Sequence, residues 1–158
     1  MRPRSALRHA EPERSALPYL PRRPTAITTS FHLAREGAFT APAVSGVRGF
    51  DTGRRPDEVP GAPRTVLLPG HAPGSSGCFF PERGLLFTGD ALVTHVLTGH
   101  TGRTLARGGF SHDGRTALAS LDRLDGLTAA TLLLPGHGRP LTGSPRTATR
   151  QARQTGRH

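Results

Sequence analysis

Apolar residues in this chain come in short runs separated by glycine, proline and charge, and the period of each run predicts its element. Thr25 to Gly37 repeats at helical spacing, with Ile27, Phe31 and Ala34 at i, i+4 and i+7 and Gly37 as a stop. Residues 38–63 are rich in Gly, Pro and charge, with one short strand candidate at Val47–Phe50. Thr65–Leu68 is a β-type run ended by Pro69–Gly70. Gly77–Phe80 and Leu85–Thr88 flank the turn Pro81–Gly84 and read as a hairpin. Ala91–Val96 is a further apolar run, followed by a Gly-rich loop through Gly109. Asp113 is placed to cap a helix over Gly114–Leu124, with Leu118, Leu121 and Leu124 on one side. Thr131–Leu134 is a short buried strand, and Ser144 with Pro145 starts a polar, Arg-rich terminal helix.

Strand–loop, hairpin, helix, strand–loop, helix is an α/β order. The core is expected from residues 64–95 and 115–134, with 25–39 contributing. One internal echo stands out: Leu-Leu-Pro-Gly-His occurs at Leu67–His71 and again at Leu133–His137.

Length and composition narrow this picture. A chain of 158 residues fits one domain able to bury a core. The 20 Gly and 15 Pro make loops abundant. The net charge of +10 suggests an anionic partner, but all 21 basic residues are Arg and they are dispersed, a bias that a GC-rich coding sequence produces by itself. Seven Phe, one Tyr and no Trp leave few stacking platforms, so nucleic acid is not the expected partner. The single cysteine, Cys78, excludes an internal disulfide and a Cys-based zinc cluster, and reads as a buried thiol beside Phe79. No run approaches a membrane span, and no apolar stretch follows the basic N-terminus as a signal peptide requires. A cytoplasmic protein is expected.

Candidate chemistry lies just past the strands. His71 and His137 each follow a strand through Pro-Gly, and Asp90 follows the strand Leu85–Thr88 through Gly89. Strand ends at one sheet edge open into one crevice, and two imidazoles with one carboxylate suit a divalent metal such as zinc or iron. Spacing alone also allows solvated turn residues at all three positions. His95 falls near the site side of a strand and is a candidate to line a substrate cleft. His100 and His112 read as solvated, as do Arg103 and Arg107.

The segments GHAPGS at Gly70–Ser75, GLLFTGDAL at Gly84–Leu92 and LLPGHGRPLT at Leu133–Thr142 resemble the later motifs of the metallo-β-lactamase-fold hydrolases, in order and interval. The resemblance implies an αββα sandwich, here mainly its C-terminal half. It divides the chain into a basic lead-in (1–24), a partial domain (25–143) and an Arg-rich helix or tail (144–158). It implies one or two metal ions, usually zinc, with His71 completing the first site, Asp90 bridging and His137 serving the second. It also implies a bridging hydroxide that attacks a small-molecule ester, lactone, thioester, β-lactam or phosphodiester.

The family's first motif, H-x-H-x-D-H, is absent, and His9 and His32 stand alone. Three ligands of the usual seven remain, and no catalytic residue is identified. The expectation is therefore a metal-dependent hydrolase, truncated at a misplaced Met1 and weak or inactive alone. A degenerate ligand- or partner-binding remnant and a basic nucleic-acid binder are the alternatives. A half-sandwich is also expected to expose a core face and self-associate.

Overall fold

The computed structural model describes residues 24–37, 49–95, 101–104 and 111–156. Helix α1 (Pro24–Arg35) is followed by strands β1 (Arg64–Leu67), β2 (Ser76–Phe80), β3 (Leu85–Gly89), β4 (Val93–His95) and β5 (Thr101–Thr104). Helices α2 (Gly114–Ser120) and α3 (Asp122–Asp125), strands β6 (Leu132–Pro135) and β7 (Leu141–Thr142), and helix α4 (Pro145–Thr155) complete the order.

Five strands form one sheet in the order β1-β2-β3-β6-β7, and β4 pairs with β5 apart from it. The predicted hairpin is β2–β3, with Phe79 opposite Leu86. Its 3₁₀ turn at Pro81–Arg83 ends at Gly84, whose φ of 62° is the left-handed conformation glycine adopts without strain. β6 joins β3 in parallel, Leu86 beside Leu133.

Pleating sends alternate side chains to opposite faces of the sheet. Val66, Phe79, Leu86 and Leu133 share one face and are buried with Ala117 of α2, Leu121, Leu124 of α3, and Ala148 and Ala152 of α4. The Arg-rich terminal helix thus shares the core through its small residues, while β5 runs beside it. The opposite face carries Cys78, Phe80, Leu85, Phe87, Leu132 and Leu134, none fully buried. Phe87, on the central strand, is 44% exposed, edge-on to Phe80 at 5.9 Å. Among the described residues only Thr65 is buried on that side, where its hydroxyl donates to the carbonyls of Asp51 and Arg54.

Several expectations are corrected. α1 forms where predicted, but Ile27 (50% exposed) and Phe31 (64%) lie open, so residues 25–39 add nothing described to the core. The helix expected over Gly114–Leu124 breaks at Leu121. There the amides of Leu121 and Leu124 bond three residues back, a 3₁₀-type tightening that joins α2 to α3. Part of the expected Gly-rich loop is strand β5. Residues 49–50 are irregular and exposed, while 47–48 lie outside the described residues. Cys78 is half-buried on the open sheet face, where burial raises its pKa.

Candidate metal centre

β1 and β3 both run antiparallel to β2, and β6 runs parallel to β3, so β1, β3 and β6 end at the same sheet edge. That shared direction brings His71, Asp90 and His137 together from positions far apart in sequence.

Each arrives on a turn held by the fold. Gly70 precedes His71 with φ 136°, and a Cβ there would collide with the Ala117 backbone in the middle of α2. The His112 amide donates to the His71 carbonyl at 3.0 Å, and the Asp113 amide donates to the Gly70 carbonyl at 2.9 Å. Asp113 caps α2, its carboxylate accepting from the amides of Arg115 and Thr116 and from the Thr116 hydroxyl. Those bonds hold the Asp113 carboxyl below its ordinary value, the Thr116 hydroxyl contributing most. Asp90 follows Gly89, whose carbonyl accepts from the Gly136 amide at 2.9 Å. The Thr94 amide donates to the His137 carbonyl at 2.9 Å, and the Thr94 hydroxyl donates to the Arg139 carbonyl at 2.9 Å, tying β4 to the loop after β6.

The Asp90 carboxylate stands between the two imidazoles. Oδ2 lies 3.3 Å from His71 Nε2, and Oδ1 lies 3.4 Å from His137 Nε2. Both separations exceed the usual hydrogen-bond length of about 2.9 Å. They match the spacing of neighbouring donors around a tetrahedral ion with ligands at about 2.0–2.2 Å. His71 and Asp90 are each 27% exposed and His137 is 66% exposed, so the centre is open on the His137 side. His71 Nδ1 is buried without a hydrogen-bond partner.

With one oxygen turned to each histidine, Asp90 has the form of a bridge. Among the described residues, no group of three His, Cys, Asp or Glu side chains could hold a single ion. The three donors are thus drawn together pairwise, each imidazole against its own oxygen of the Asp90 carboxylate.

His95 lies on β4 with its side chain exposed, its backbone against Gly138, the residue after His137. His112, read from sequence as a solvated residue, holds the His71 turn through its amide. The signal available for it was its position beside the capping Asp113. His32 sits on α1 against Phe31. His9, His100 and Arg107 lie outside the described residues, as does the side chain of Arg103.

A mixed α/β fold carries two imidazoles and a carboxylate just past the ends of three strands that run in the same direction. The sequence pattern of the metallo-beta-lactamase superfamily matches residues 9–137, and the chain belongs to that superfamily. It is similar to a metallo-beta-lactamase family protein from Thermus thermophilus, with a TM-score of 0.51 and 23% identity over 83% of this chain and 46% of the other. A beta-lactamase domain protein from Burkholderia ambifaria gives a TM-score of 0.55 and 28% identity over 78% of this chain and 38% of its own. An archaeal metallo-beta-lactamase superfamily protein from Sulfolobus tokodaii shares the fold at a TM-score of 0.51 and 16% identity, over 77% of this chain and 46% of its own. The chain spans less than half the length of each of these structures. No curated protein matches it. No helix among the described residues is long and apolar enough to cross a membrane.

Proposed function

We propose that this chain carries half of the two-ion centre of a metal-dependent hydrolase acting on a small molecule, with zinc or iron as the metal. The observation that carries the reading is the Asp90 carboxylate set between His71 Nε2 and His137 Nε2 at 3.3 and 3.4 Å. His71 and Asp90 Oδ2 would hold one ion, and Asp90 Oδ1 and His137 the other. When bound, such an ion lowers the pKa of a coordinated water toward about 7 and polarises a carbonyl or phosphoryl oxygen. The chain's own part is to fix the donors at this spacing, through the turns at Gly70, Gly89 and Gly136, and to leave the His137 side open for substrate. His95, on the strand tied to that loop, is proposed to line the approach. A cytoplasmic setting belongs to the reading.

Two protein donors for each ion fall short of the three usual at catalytic zinc. The reading therefore requires the remaining ligands from a polypeptide segment other than those described, and hydrolysis by these residues alone is expected to be weak or absent. The same shortfall favours a second reading, a non-catalytic remnant that keeps the fold to bind a ligand or partner.

Metal content and zinc titration of the purified chain test the first reading against Asp90→Ala. Weak zinc binding lost in Asp90→Ala is expected, because both half-sites share that carboxylate. Binding unchanged in Asp90→Ala, or no binding at all, would overturn it and leave the remnant.

A further inference from the structure

α4 presents Arg146, Arg150 and Arg153 at i, i+4 and i+7, on one side of the helix. Together with Asp125 and Gln154 they line an open cleft of about 540 Å³. Arg153 is already satisfied, with Nη2 2.6 Å from Asp122 Oδ1 and 3.1 Å from Asp125 Oδ2. Asp125 is likewise committed, since its other oxygen accepts from the Thr149 hydroxyl. Arg146 and Arg150 remain, both exposed, and neither meets a carboxylate within ion-pair distance among the described residues. The one acid of the cleft is thus neutralised within the fold, and two guanidinium groups one helical turn apart face the opening uncompensated.

We infer that this cleft binds a diphosphate group, one phosphate to Arg146 and the next to Arg150. A guanidinium is planar, permanently charged and matched to two phosphate oxygens at once, and a turn of helix separates neighbouring positions by about 5.4 Å. Gln154 adds an amide able to donate to a bridging or terminal oxygen. Among the described residues no aromatic side chain lines the cleft, so recognition is expected to stop at the phosphates and not extend to a stacked base. The cleft is separate from the metal centre. Asp125 ends the α2–α3 run that starts beside Gly70 and lies ahead of the first residue of β6, whereas His137 follows the last.

The test is calorimetric titration of inorganic pyrophosphate into the metal-free chain, which keeps the anion from meeting metal at Asp90. One pyrophosphate per chain is expected, with orthophosphate weaker. Losing both charge-assisted contacts in Arg146→Gln/Arg150→Gln should weaken binding by at least about tenfold, with an unchanged circular dichroism spectrum. Arg54→Gln/Arg55→Gln removes the same charge from an exposed loop and should leave the affinity unaltered. Equal weakening in both double variants would assign binding to overall charge and overturn the proposal. So would absence of pyrophosphate binding, or an oligonucleotide that binds through the two α4 arginines where pyrophosphate does not.

Discussion

The Asp90 carboxylate fills the space that a side chain at Gly136 would occupy: a Cβ built on residue 136 falls on Asp90 Oδ1 and against the Gly89 carbonyl carbon. A glycine directly past the end of β6 is therefore part of how the Asp90 carboxylate is aimed.

Gly136→Ala should leave the fold in place and displace Asp90 from its position between the imidazoles. Groups that orient metal ligands typically matter by about 10–100-fold in metal affinity, and a loss in that range is expected. Zinc titration of Gly136→Ala beside Gly126→Ala, where a Cβ meets nothing within 4 Å, makes the comparison. Equal affinity in the two variants would show that Asp90 does not need this clearance.

Gly70 performs a different service, letting the turn after β1 approach α2. Its φ of 136° is strained for any residue with a side chain, and its Cβ would meet Ala117 backbone that cannot move independently of the helix. Strain of about 1–3 kcal/mol and overpacking of similar size together predict that Gly70→Ala destabilises by about 2–6 kcal/mol. Truncating a buried core side chain, as in Leu121→Ala, costs about 2–5 kcal/mol. Denaturant melts of the two variants should give comparable losses, and a Gly70→Ala protein as stable as the parent would remove the close-approach argument.

Much of this was legible in the residues. The hairpin around Pro81–Gly84 and the capped helix after Asp113 follow from local signals, turn chemistry and a capping side chain, whereas the convergence of His71, Asp90 and His137 was one of two outcomes that spacing allowed and was favoured by the resemblance of the three motifs. The α1 stripe failed because amphipathic spacing shows that a face exists and not that a partner covers it; Ile27 and Phe31 face solvent. The break at Leu121 was invisible because the leucine stripe continues through a 3₁₀ joint. Which Asp90 oxygen faces which histidine depends on ångström-scale geometry that spacing does not carry.

Asp113 makes stability depend on acid. Its carboxyl is held below the ordinary 3.8 by the Thr116 hydroxyl and by the amides of Thr116 and Arg115. A depressed folded-state value adds stability that is fully present above the unfolded value and is lost as pH falls through the folded one. Melts from about pH 6 down to pH 3 should therefore show a falling Tm. The fall should be shallower in Asp113→Asn, which keeps an acceptor for the amides but cannot titrate. Parallel curves for the two proteins would remove Asp113 from the acid response.

The open sheet face carries the last prediction. Phe87 lies on the central strand, 44% exposed, among Phe80, Leu85, Leu132 and Leu134, on a side where none of the described apolar residues is fully buried. Apolar area of this kind costs about 25 cal/mol per Å² left in water, and a contiguous patch marks an association surface. We propose that the chain self-associates through this face when no partner covers it. Light scattering over a concentration series should show mass rising above the 16.8 kDa of one chain. Phe87→Glu places a charge in the middle of the patch without touching the core on the other side, and should return the protein toward monomer with little change in Tm. Association undiminished in Phe87→Glu but reduced in a Phe31→Glu variant would move the surface to α1, whose exposed apolar residues are the competing patch.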